Sequence, residues 1–226
     1  MPRSRQAHRV GTARAKFKAA ESLKDSGPRP KVAPVALTIG HSTRSLEEFI
    51  ALLTTHRVTR VVDVRTVPRS RHNPQFNKTS LPKSLERAGI GYVHLSGLGG
   101  LRHASPDSIN LGWRNASFRG YADYMQTQDF ENNLQELIRL AELDRIALMC
   151  AEAVPWRCHR SLIADALLAH RIRTEHIMSP TRLEVHTLTP FARINGTKVS
   201  YPSEDHQSQL KLFSVETKGA PRPEAG

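Results

Sequence analysis

Between residues 35 and 177 the sequence alternates short apolar, β-branched runs with stretches of helical period, and this alternation restricts the fold more than any other feature. The runs are Val35–Ile39, Thr59–Val64, Gly91–Leu95, Arg145–Met149 and Arg173–Ile177. Each is too short for a helix and ends in polar or glycine residues, which reads as a buried strand. The stretches between them repeat apolar residues every three or four positions. Leu46, Phe49, Ile50, Leu52 and Leu53 form one face after the capping box Ser45-Leu46-Glu47-Glu48. Leu81 and Leu85, Phe118 to Met125, Phe130 through Ala141, and Leu162 to Leu167 supply the others. Strands alternating with helices at this spacing predict an α/β fold: a mostly parallel five-stranded sheet with helices on both faces. A short β-like C-terminal segment is expected over Leu183–Leu188 and Phe191–Tyr201, with Asn195-Gly196 as a hairpin turn.

The ends of the chain read differently. Residues 1–34 carry nine Lys/Arg against two acids, out of a net charge of +12, and lack any apolar period. They are expected to be a disordered basic arm before a single α/β domain over 35–202, with 203–226 as a loose polar tail. A basic arm adds salt-sensitive affinity for nucleic acid or anionic lipid. An Arg-rich, acid-poor start also fits an organelle transit peptide, and the plainest reading is a solvated tail. No apolar run approaches the ~20 residues of a membrane span, and no signal-peptide core is seen. Two cysteines make no disulfide framework, so a reducing, cytoplasmic setting is expected.

The unusual polar residues fall at the carboxyl ends of the predicted strands. His41 and Ser42 follow the first, Asp63 and Arg65 the second, and Gly99, Gly100 and Arg102 the third. Cys150 and Glu152 end the fourth, and Cys158, His159 and Arg160 open the helix after it. Open α/β sheets bind ligands at that edge. The ordered set Gly40-His41-Ser42, Asp63-Val64-Arg65 with Pro68 and Ser70, Leu98-Gly99-Gly100, Phe118-Arg119-Gly120-Tyr121 and Cys150-Ala151-Glu152…Cys158-His159-Arg160 resembles domain-of-unknown-function family 488. Thr189-Pro190-Phe191-Ala192-Arg193 and Tyr201-Pro202 are similar to its C-terminal segment. The resemblance covers roughly residues 36–202 and leaves the basic arm outside. It implies an α/β fold and adds weight to the site without naming a reaction or a cofactor.

Each group has a chemical and a plain reading. Cys150 is a candidate nucleophile, or else a small buried hydrophobe. Cys158 beside a helix N-terminus, between Arg157 and Arg160, favours a thiolate. Arg157 lies seven residues after Cys150, one too many for a tyrosine-phosphatase loop. Cys150, Cys158, His159 and His41 could also make a zinc or iron site, but the Cys-x7-Cys-His spacing is not a usual zinc pattern, and the favoured expectation is no metal. Glu152 is a general acid–base candidate, or the ion-pair partner of Arg160 or Arg65. Asp63 either acts or orients His41 and Arg65, and His41 is the proton-transfer candidate. Arg65, Arg69, Arg71, Arg102 and Arg160, with Ser42, Ser70 and His159 nearby, point to an anion. Three functions compete. One is an enzyme on a phosphate-bearing small molecule or nucleotide, using His41, Cys150, Glu152 and Asp63. The second is a nucleic-acid-binding module, with Trp113, Phe118 or Tyr121 stacking on bases. The third is a redox-responsive domain using both cysteines.

Overall fold

The computed structural model describes residues 34–203. The arm over 1–34 and the tail over 203–226 lie outside them, apart from Pro34 and Ser203. The elements in order are β1 (Val35–Gly40), α1 (Leu46–Thr55), β2 (Arg60–Asp63), α2 (Leu81–Arg87), β3 (Gly91–His94), α3 (Ala116–Tyr124), α4 (Gln128–Leu143), β4 (Ile146–Cys150), α5 (Arg160–Ala169), β5 (Arg173–Ser179), β6 (Arg182–Val185), β7 (Arg193–Asn195) and β8 (Lys198–Ser200). None of the described helices is long and apolar enough to cross a membrane.

The main sheet has six strands in the order β3-β2-β4-β1-β5-β6. The first five named by sequence run parallel, as the alternation requires. The sixth was not expected as part of this sheet: β6 turns back and pairs antiparallel with β5, His176 opposite Glu184. The Asn195-Gly196 turn joins β7 to β8 in a separate two-stranded ribbon, as its sequence predicts.

Helices cover both faces. Leu37 and Ile39 of β1, Val61 of β2 and Ala147 and Met149 of β4 pack with Phe49, Leu52, Leu53, Leu81 and Leu85 of α1 and α2. The alternate residues Val62, Ile146, Leu148 and Cys150 pack with Tyr121, Leu134, Leu137, Leu162 and Leu167 of α3, α4 and α5. Because successive side chains alternate between faces, β4 is apolar along its whole length and buried throughout. The same alternation aims Cys150 at the α5 face and sends Met149 to the other.

Local chemistry sets the helix starts. Ser45 accepts from the Glu48 amide at 3.1 Å, as the capping box foretold. Ser80 leads into α2 without a side-chain cap bond. The α5 helix begins at Arg160 with His159 as its cap residue, so Cys158 stands just before the helix rather than within it. The chain leaves β1 toward β2 on one side and leaves β4 toward β5 on the other, although β1 and β4 are neighbours. The loops therefore part above these two central strands and leave a crevice at their carboxyl ends.

Candidate functional site

Main-chain bonds hold the crevice floor together. The amides of His41 and Ser42 donate to the carbonyls of Cys150 and Ala151 at 3.0 and 2.9 Å. Gly40 is required there, because a Cβ would collide with the Glu152 carbonyl and the backbone of Ala153.

Two lobes straddle the end of the sheet. The first, about 390 Å³, is lined by His41, Ser42, Arg65, Arg69, Ser70 and Glu152, among others. The second, about 300 Å³, is lined by Gly100, Phe118, Cys150, Glu152, Cys158 and His159, with Ser117 and Arg157 at its rim. A shallow depression that includes Arg65, Ala151, Cys150 and His159 bridges them. Of the predicted residues, His41, Ser42, Arg65, Ser70, Gly100, Cys150, Glu152, Cys158 and His159 line one groove, while Asp63, Gly99, Arg102 and Arg160 do not. The strand alternation nevertheless puts His41 and the cysteines in different lobes.

In the first lobe Asp63, Arg65 and His41 are already committed to one another. Asp63, fully buried, accepts from Arg65 Nε at 2.9 Å, from Arg65 Nη2 at 2.6 Å, and from the Arg65 amide and the Tyr92 hydroxyl. Its oxygens have no room for a substrate proton, so Asp63 is a positioning group. Arg65 also donates to the Phe76 carbonyl and, through Nη1, to His41 Nε2 at 3.2 Å. A guanidinium can only donate, so Nε2 of His41 is the bare nitrogen, and Nδ1–H is given to the Ser42 carbonyl. Burial, with the Arg65 charge beside it, pushes His41 down to about 4. Its ring stacks on Phe76 at 4.3 Å. His41 is therefore neutral near pH 7 with its lone pair in use, and the structure does not present it as a proton shuttle. Ser70 shapes the loop by accepting from the Asn73 amide, while Arg69 lines the lobe with no acidic partner among the described residues.

The second lobe is built around sulfur. His159 Nε2 lies 3.0 Å from the Val64 carbonyl, which can only accept, so this nitrogen carries the proton and Nδ1 is bare. Nδ1 is 3.6 Å from Cys158 Sγ and 4.0 Å from Cys150 Sγ. Gly100 lies flush against the ring: a Cβ there would be 2.6 Å from Nδ1. Both cysteines are free and buried. The Cys158 thiol is pushed well below its ordinary range, chiefly by a hydrogen bond from Cys150 and also by the Arg160 charge, against burial. Cys150 is pushed up correspondingly.

Arg160 lies beneath this centre with only 1% of its surface exposed. It donates Nη2 to the carbonyls of Glu152 and Ala153, and its Nε has no partner. Among the described residues no carboxylate balances it. The expected ion pair with Glu152 is replaced by bonds to that residue's backbone, and the Glu152 carboxylate is exposed at the junction of the lobes.

Other expected residues are spent elsewhere. Arg102 donates to the carbonyls of Gly97 and Gly99 and stacks 3.6 Å over the Tyr124 ring, so it faces away from any ligand. Gly99 abuts Thr66 and lines neither lobe. Of the aromatic candidates for stacking, Tyr121 is fully buried and bonded to the Leu98 carbonyl. Trp113 packs among Phe118, Phe191 and Tyr201, which leaves Phe118 at the groove. Thr43 and Asn73 in loops, and Ser117 in the first turn of α3, line the lobes without having been expected, because single polar residues of their type carry no sequence signal.

Neither a curated protein nor a solved structure matches this chain. A family model does match, over residues 45–167, a span that takes in Asp63, Arg65, Gly100 and both cysteines and stops short of Gly40-His41-Ser42. Since that span is more than half of the sequence, the chain belongs to the family described as Domain of unknown function DUF488.

Proposed function

We propose that the protein is an enzyme acting on a small anionic molecule, a phosphate-bearing metabolite or nucleotide, that lies along the groove. The observation that carries this reading is the junction of the lobes. One side offers Arg69 with the Ser42 and Ser70 hydroxyls, and the other presents two sulfurs and a bare imidazole nitrogen. Arg69 and the hydroxyls would hold the anion, with the buried, unbalanced Arg160 adding positive potential from below. The reacting group would reach Cys158, Cys150 and His159, with the exposed Glu152 carboxylate available for proton transfer. His41, Asp63 and Arg65 would keep the first lobe in shape.

The test is a titration with pyrophosphate and with nucleoside mono- and diphosphates, followed by calorimetry at low and high salt. Binding is expected in the wild type, weakened by salt. The variant R69A should lose about tenfold in affinity, the value of one charge-assisted bond. If no phosphate-bearing compound binds, or R69A binds each as the wild type does, the reading is wrong. Mass spectrometry of whatever is released on denaturation would then identify the occupant directly.

A further inference from the structure

We infer that Cys150, Cys158 and His159 form a binding site for a thiophilic divalent cation of the zinc class, with the fourth coordination position facing the groove. The two sulfurs and the imidazole nitrogen all lie within 4.8 Å of one another. A tetrahedral ion bound at ordinary zinc–sulfur and zinc–nitrogen distances needs donor separations of about 3.6 to 3.8 Å. The sulfur–nitrogen edges of 3.6 and 4.0 Å fit that triangle with little adjustment.

The surroundings are those of a ligand set rather than of three residues packed by chance. The Nε2–H bond to Val64 fixes the tautomer that leaves Nδ1 free to ligate, the outer-shell arrangement typical of metal-bound histidine. Gly100 supplies the clearance that this ring position needs. Cys150 ends a fully buried strand and His159 caps a helix, so two donors stand on rigid elements. A single reactive thiol needs only one sulfur and one base to ligate or react, and the second sulfur would serve it only as a hydrogen-bond donor. A metal uses all three donors.

Three protein ligands and an open position describe a catalytic rather than a structural site. The second lobe leads to that position past Phe118 and Glu152. Two thiolates cancel a divalent charge, so Arg160 leaves the assembly net positive. A hydroxide or an anionic substrate group in the fourth position would restore balance. The inference thereby deepens the proposed function, and depends on it only for the identity of that fourth ligand.

The experiment is cobalt titration of the full chain after chelator treatment, with metal analysis of the protein as purified. One cobalt per chain is expected, with tetrahedral d–d bands and a sulfur-to-metal charge-transfer band. C158S should abolish the charge-transfer intensity or reduce it to that of one thiolate. H159Q leaves both cysteines in place and should weaken binding at least tenfold while circular dichroism stays unchanged. Cobalt spectra without a sulfur band, or with a band that survives C158S intact, would overturn the inference. Titrating pyrophosphate into metal-free and metal-loaded protein separates the two claims. Anion binding without metal binding defeats the metal site alone, and metal binding without anion binding defeats the substrate reading alone.

Discussion

Two buried polar clusters lie on the same face of the sheet, and they are built on opposite rules. At the β5–β6 edge, Thr38 Oγ1 meets His176 Nδ1 at 2.7 Å, and His176 Nε2 meets His186 Nδ1 at 3.1 Å. His186 Nε2 donates to Asp165 at 2.9 Å. Asp165 also accepts from the Thr189 amide and hydroxyl and from the Tyr201 hydroxyl. Since Asp165 can only accept, each ring proton in the chain has one consistent placement. Every group in it is satisfied. In the Cys150–Cys158–His159 cluster one ring nitrogen is anchored, while the other and both sulfurs converge on a point reached from a groove. A closed network can only hold the fold together, whereas an open one keeps donor atoms available for a ligand.

That contrast can be broken by experiment. The largest effect is expected from Asp165→Ala, which strips the acceptor from His186, Thr189 and Tyr201 in a fully buried position. Leaving buried donors unpaired at ~1–3 kcal/mol each should cost at least ~3 kcal/mol of stability, read from denaturant midpoints. Wild-type levels of stability would show the relay to be ornamental.

Acid comes next. Burial, with the neighbouring His186 ring and the Arg160 charge, pushes His176 down to about 3. Its pKa is thus lower folded than unfolded, and the unfolded chain takes up the proton first. Stability is full above pH 6.5 and falls as pH drops toward 3, by about 3 kcal/mol at one unit per 1.36 kcal/mol with allowance for partial burial. H176Q should flatten that part of the pH–stability curve. An unchanged slope would mean that His176 is not the group responsible.

On the open side, Gly100→Ala places a methyl group against His159 Nδ1. It should lower cobalt affinity by 10- to 100-fold, the range for disturbing a ligand's support. Its thermal midpoint should move by only a few degrees, because the ring can swing into the groove. Loss of folding instead would make Gly100 a core residue. The smallest effect is expected for Arg102→Lys, which keeps the charge and loses the stacking on Tyr124. It should change stability by about 1 kcal/mol or less and leave pyrophosphate binding alone. A loss of anion binding would put Arg102 back in the site.

The strand ends were readable because apolar runs stop where the sheet stops, and alternation of helices and strands favours a parallel order. This located His41, Arg65, Cys150 and His159 along one rim. Which way each side chain points was not readable. Strand parity places Cys150 and His41 on opposite faces, and that parity depends on where each strand begins to within a single residue. Arg102 satisfies carbonyls in its own loop, a choice that no spacing announces. A β-like segment was expected over Leu183–Leu188, but the antiparallel pairing of β6 with β5 was not, because that partner is fixed by long-range geometry. The relay of His176, His186 and Asp165 is spread over β5, the loop after β6 and α5, and leaves no local trace.

The close approach at Gly40 carries a consequence for how this groove can diversify. Where β1 meets the 151–153 loop, the two backbones touch with no side chain between them. That wall cannot be widened, narrowed or recharged by substitution, since any side chain at Gly40 would push the loop away. Selectivity has to be written into the facing segments, through positions such as Arg69, Asn73, Ser117 and Phe118. An engineer seeking to redirect the protein to a new molecule should randomise those positions and leave the spine untouched.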